Sequence, residues 1–294
     1  MRQVRLTAVF ATALLAVLAP GPAAAAPGVN LQAGAFVDDQ DGASYDVNVQ
    51  FRPAEWLTLA LGAGQSSSSL VATDFDGTSV HGGIDLRRGR LGGGLYASQW
   101  EDSDQFTSRV LGGRFTVTFA ESFEAGLVME SRRLEVGYTT TGLLGRTLAQ
   151  SARFDGSGVG AELGWYGREW SGYLRGIGYD YDEQLDRAVA ASRAPATRAF
   201  PRVASLVDAV LTRTAGAIDY QASLGVDRAF ARSGLGVDLT LSSDAISGDD
   251  STSVSVAWRY DLTTRVGVDV TLGMTETDGL DSTGFAGLGF SFRN

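Results

Sequence analysis

Along most of this chain, apolar and polar residues alternate one for one. Tyr45, Val47, Val49 and Phe51 interleave with Asp46, Asn48, Gln50 and Arg52, and Val254, Val256, Trp258 and Tyr260 with Ser253, Ser255, Ala257 and Arg259. Successive side chains of a strand point to opposite faces, so each such segment is a strand with one oily and one wet side. The alternation predicts about fourteen strands, near 28–37, 44–52, 56–64, 78–86, 91–99, 107–119, 123–135, 153–166, 170–182, 215–229, 233–244, 250–261, 264–276 and 282–293. The segment 170–182 is ambiguous, because Tyr173, Ile177 and Tyr179 share a face with Arg175.

The connections sort into two classes that alternate. Tight ones fall at 53–55, 88–90, 120–122, 167–169, 231–232 and 263–264. Those between them are longer and richer in Asp, Ser, Gly and Thr, notably 65–77, 136–152 and 183–214. Short turns at one end and long loops at the other, joining strands of about ten residues, define a transmembrane antiparallel β-barrel with periplasmic turns. An even strand count then places both termini in the periplasm. Trp56, Phe119, Phe123, Trp165, Trp170, Phe230, Tyr260 and Phe292 all fall near a tight turn or the carboxyl end, where an aromatic girdle belongs. A soluble β-sandwich also has alternating strands, but it would not separate its turns into two sets and would hold its aromatics mid-strand.

The amino terminus adds a location. Arg2 and Arg5 precede an apolar run from Leu6 to Leu18 and the small residues Ala23 to Ala26, the pattern of a cleaved secretory signal. Residues 1–25 are read as that signal peptide and 26–294 as the barrel domain. The run is too short for a bilayer-spanning helix, which needs roughly 20 residues. The absence of cysteine excludes a disulfide scaffold, thiol catalysis and a lipid-anchored amino terminus. The formal charge of −10 becomes −12 once Arg2 and Arg5 are removed, which is no match for nucleic acid. Glycine, at 38 residues, is abundant inside the strands, where it leaves space in a lumen and relieves crowding at bends.

If Val, Leu and Phe face lipid, the polar face lines the lumen. The pore-lining candidates are Asp46, Asp85, Arg109, Arg114, Glu124, Glu162, Asp219, Asp238, Arg259 and Asp269, with Gln50, Asp227 and Arg293 beside them. A mixed but acid-rich wall suits a water-filled path for small polar solutes; the bland alternative is that these charges pair and fill the barrel. The long loop 183–214 is basic, through Arg187, Arg193, Arg198, Arg202 and Arg213. Its Val203, Leu206, Val207, Val210 and Leu211 recur at helical spacing. It is expected to fold against the acidic wall and narrow the pore, the alternative being a solvated loop touching lipopolysaccharide phosphates.

Catalysis finds little footing. His81 shares its predicted face with Ser79 and Asp85, but side chains on one strand face stand parallel rather than converging on a proton. Neither Asp74, Asp76 and Gly77 nor the Asp38, Asp39 and Asp41 cluster has the full spacing of a calcium loop. Gly92, Gly93 and Gly94 lie within a strand rather than ahead of a helix, so they cradle no phosphate.

The last strand, Gly284 to Arg293, sets Ala286, Leu288, Phe290 and Phe292 on one face. It resembles the carboxyl-terminal insertion signal of outer-membrane proteins, with Arg293 and Asn294 following where that pattern usually ends on the aromatic. The whole mature chain resembles a bacterial outer-membrane β-barrel, porin-like in architecture. That resemblance implies passage through the barrel-insertion machinery and a setting in outer-membrane lipid and lipopolysaccharide. The expected function is passive diffusion of small hydrophilic solutes or ions, mildly cation-preferring, with no cofactor, no metal and no enzymatic step. The competing reading is a closed barrel with a surface-binding or envelope-structural role. The pattern specifies no oligomeric state.

Overall fold

A computed structural model describes residues 28–70, 73–102, 106–141, 147–182, 218–245, 248–279 and 281–294. They form fourteen strands: β1 (Gly28–Asp38), β2 (Ala43–Ala54), β3 (Leu57–Leu70), β4 (Thr73–Arg88), β5 (Leu91–Asp102), β6 (Phe106–Phe119), β7 (Phe123–Thr141), β8 (Thr147–Tyr166), β9 (Trp170–Tyr181), β10 (Ile218–Ala229), β11 (Ser233–Asp244), β12 (Asp250–Asp261), β13 (Val266–Thr277) and β14 (Thr283–Arg293). Each pairs antiparallel with its sequence neighbour, and β1 pairs with β14 from Asn30↔Arg293 to Asp38↔Phe285, closing the barrel. Closure leaves no edge strand, which a bilayer requires because it offers backbone groups no water to bond.

Two hairpins run further than the alternation predicts. The segments 65–77 and 136–152 are mostly paired ladder: β3 and β4 pair up to Leu70↔Thr73, and β7 and β8 up to Thr141↔Thr147. Beyond the lipid neither face needs apolar residues, so a ladder there is written in Ser, Thr, Asp and Gly and reads as loop. The tight ends behave as their sequences suggest. Gly89 takes φ +61° in the two-residue link between β4 and β5, a conformation free to glycine.

Apart from register shifts at Phe51/Ala54 and Ile218/Tyr220, the faces follow parity. Leu61, Leu95, Leu111, Met129, Val159 and Leu272 are each about 60% exposed or more, although large and apolar. In water such a surface would drive aggregation; arranged as a continuous belt around a closed sheet, it is a lipid contact. Trp56, Phe119, Phe123, Trp165, Trp170 and Phe230 are likewise exposed and mark the lower rim. β14 presents Leu288, Phe290 and Phe292 to the same belt, while Arg293, one residue on, turns inward and meets Asp261 at 3.0 Å. The residue beyond the terminal aromatic is therefore a wall residue.

Candidate functional site: the lumen wall

Fourteen strands spaced about 4.8 Å apart and tilted about 40° give a backbone cylinder about 28 Å across. Two sheets that share a filled core stand about 10 Å apart. Side chains from opposite walls here are too distant to interdigitate, so the question is how each wall disposes of its own.

It lays them flat over glycines. In register, Asp46 faces Gly34, Asp85 faces Gly94, Asp227 faces Gly236, Asp238 faces Gly225, Asp269 faces Gly289 and Glu162 faces Gly126. A Cβ at Gly34 would meet Oδ1 of Asp46 at 2.7 Å, and one at Gly126 would meet Cγ of Glu162 at 2.7 Å. The aromatics do the same: Tyr96 lies over Gly112, Tyr179 over Gly158, Phe36 over Gly287 and Phe285 over Gly273. This explains the glycine content of the strands. The absent Cβ is the space into which the neighbouring side chain leans.

The polar bonds also run along the wall. Arg114 Nη2 donates to Asp85 at 2.7 Å, Arg87 pairs with Glu124, and Tyr173 donates to Asp238 at 2.8 Å. Glu130 collects the most: Tyr96 at 2.6 Å, Tyr179 at 2.6 Å and Arg175 at 3.0 Å. These bonds link strands two or three apart; the longest of the set, Arg175 to the Tyr96 hydroxyl at 3.5 Å, spans four. Charge is unevenly spread. From β4 to β9, Asp85, Asp102, Glu124, Glu130 and Glu162 face Arg87, Arg114, Arg132 and Arg175. From β10 round to β3, Asp227, Asp238, Asp261, Asp269 and Asp46 outnumber Arg259, Arg293 and Arg52. Asp46 and Asp269 share one row across four strands, separated by Gly34 and Gly289 alone.

Of the residues the alternation assigned to the lumen, Asp46, Asp85, Arg114, Glu124, Glu162, Asp238, Arg259 and Asp269 face it. Arg109 does not. It lies five residues from Arg114, an odd number, and so shares the outward face of Leu111 and Phe115. The reading by charge overrode parity, and Arg109 is tolerated outside because it stands at the upper limit of the apolar belt. Asp219 sits at a β-bulge between Ile218, which packs inward against Val128, Ile177 and Tyr179, and the outward Tyr220. It belongs to the mouth rather than the wall. Arg187, Arg193, Arg198 and Arg202, and the helical spacing at 203–211, lie outside the described residues, as does the signal segment.

The ambiguous ninth strand resolves the same way. Tyr173, Arg175, Ile177 and Tyr179 all point inward, and Leu174 meets lipid. Glu130, the hub of the β5–β9 wall, was missed by reading the sequence although its parity was legible: it alternates with Met129 and Ser131. The apolar Val128 and Leu134 on its own face hid the signal. Both are buried: Leu134 with Phe106 and Phe154 in the upper wall, Val128 lower, against Ile177 and Tyr179.

His81 is placed against Asn48, Nε2 to Oδ1 at 2.7 Å, and Asp85 is held by Arg114. The two are thus engaged elsewhere and do not assemble with Ser79 as a triad. Among the described residues no group of three His, Asp or Glu side chains could hold a metal ion.

No protein-family model and no curated protein matches the chain. Solved structures do. The monoaromatic hydrocarbon channel CymD matches with a TM-score of 0.52 at 10% identity, over 90% of this chain and 88% of that one. An outer membrane protein of Vibrio cholerae, OmpT lacking loop L8, gives 0.49 at 11% identity over 92% and 98%. The porin KdgM, in complex with disordered oligogalacturonate, gives 0.43 at 10% over 90% and 98%. The CymD likeness is one of fold. Together with the closed fourteen-strand sheet, the apolar belt and the girdle, it defines the class of this chain: a transmembrane β-barrel.

Proposed function

We propose that the chain is a passive outer-membrane pore for small hydrophilic solutes or ions, mildly cation-preferring, with its long connections outward and both termini toward the periplasm. The observation that supports this is that, among the described residues, the inward side chains of Asp46, Asp85, Asp227, Asp238, Asp269 and Glu162 lie along the wall over cross-strand glycines. A solute crosses by diffusion along hydroxyls and charges already bonded to one another. No conformational step or energy source is required. Cation preference follows from the carboxylate excess on the β10–β3 side, which raises the local concentration of positive ions. Liposome swelling tests the reading: refolded protein in vesicles should admit uncharged sugars at a rate that falls with their size, and vesicles that swell no faster than protein-free ones would overturn it.

One observation favours the rival, a closed barrel that binds at its surface. The inward Phe106, Leu134 and Phe154 are almost wholly buried near the upper mouth, where an open vestibule would expose them. The same swelling assay separates the two.

A further inference from the structure

Arg109 and Arg133 stand directly opposite each other in the register of β6 and β7, both on the outward face. Like charges at such positions repel, and sheets avoid them. Arg109 is held from both neighbouring strands and Arg133 from β8. Arg109 donates from Nε to Gln99 at 3.2 Å and reaches Glu135 only at 3.7 Å. Arg133 donates from Nε to Asp155 at 2.8 Å, a carboxylate that Arg153 also grips. Nearly half of each side chain is exposed, 49% and 43%.

Their height is fixed by the strands. Each arginine is ten residues above the lower girdle, counted from Phe119 and from Phe123. At about 3.4 Å per residue and a tilt near 40°, that is about 26 Å, the top of an apolar band about 25 Å tall. Directly below, the next outward row is Ala97, Leu111 and Ser131. Here a groove of ≈ 580 Å³ runs down the outer surface, walled by Leu61, Val80 and Leu111 and floored by Gly82 and Ala97, with Ser131 and both arginines at its upper end. The groove is apolar where lipid chains lie and carries two guanidiniums, each paired with one carboxylate, where lipid headgroups begin.

We propose that this face of β4–β8 binds a phosphate-bearing lipid of the outer leaflet, the lipid A moiety of lipopolysaccharide, with a phosphate between Arg109 and Arg133 and an acyl chain in the groove. Glu135 and Asp155 offset the repulsion of the cross-strand pair only from its flanks; an anion between the two guanidiniums would meet their remaining donors, with Ser131 adding a hydroxyl. The small residues at 82 and 97 leave the depth an acyl chain needs. The assignment rests on the reading that the long connections face outward.

The test measures lipid A binding to refolded full chain in detergent, by native mass spectrometry, with heat-modifiable electrophoretic mobility as the check of folding. The R109Q/R133Q variant should fold and bind at least tenfold more weakly than wild type. R265Q, at the opposite rim, should bind as wild type does. Dephosphorylated lipid A should bind both proteins equally and weakly, and millimolar inorganic phosphate should not replace the lipid. Equal lipid A binding by wild type and R109Q/R133Q overturns the site, as does undiminished binding of the dephosphorylated lipid; saturation by inorganic phosphate alone assigns the pair to a free anion and also overturns it. Orientation is read separately from D278C, the chain having no other cysteine. Labelling of D278C on intact cells by an impermeant maleimide supports the outward reading, and its absence overturns that reading whatever lipid A does in detergent.

Discussion

Asp46 and Asp269 lean from either side over the paired glycines Gly34 and Gly289, so both carboxylates act on the same stretch of lumen. An ion roughly 7 Å from one carboxylate in water feels about 0.6 kcal/mol, which screening at 0.1 M salt roughly halves. Two carboxylates then stabilise a cation by about 0.6 kcal/mol and disfavour an anion by as much, a difference worth about sevenfold in relative permeability. Replacing both with asparagine preserves size and removes the charge. The reversal potential of the D46N/D269N variant, measured in a planar bilayer under a KCl gradient, should move from the cation side toward zero, with single-channel conductance nearly unchanged. D278N, in the link between β13 and β14, should leave it where it was. An unaltered reversal potential in a conducting D46N/D269N channel would refute the argument that this row sets selectivity.

Two further outcomes concern the wall itself. Glu130→Gln leaves Tyr96, Tyr179 and Arg175 with a neutral partner in a buried site; the loss of charge-assisted bonds should cost about 2–4 kcal/mol, seen as a lower urea midpoint for unfolding from lipid. An arginine at Met129, on the lipid face within the belt, should cost about 2–4 kcal/mol in the same assay, whereas one at Ser131, a row higher, should cost about 0–1 kcal/mol. Equal effects at the two positions would place the upper limit of the belt elsewhere.

The strands were legible because a barrel writes them twice, as alternation along each strand and as a two-class rhythm of connections between strands. That double signal fails where lipid ends. The upper ladders of β3–β4 and β7–β8 carry no apolar face, so Ser66 to Ser69 and Thr139 to Thr141 read as loop while pairing as strand. Site residues were legible to the extent that parity was followed. Asp46 lies between Tyr45 and Val47 and Asp269 between Val268 and Val270, both clean alternations, whereas the charge of Arg109 reads as inward against its own alternation with Leu111 and Phe115. Glycine's role was the least legible. Nothing local marks Gly34 or Gly289 as the bed of a carboxylate, because the partner that fills the space is on another strand, and pairing across strands is decided by register rather than by neighbours in sequence.

The central claim is that the lumen conducts. Single-channel recording of the refolded chain in a planar bilayer tests it most directly. The account predicts discrete, long-lived conductance steps that favour cations; a barrel that inserts with folded mobility and yet passes no current would contradict it.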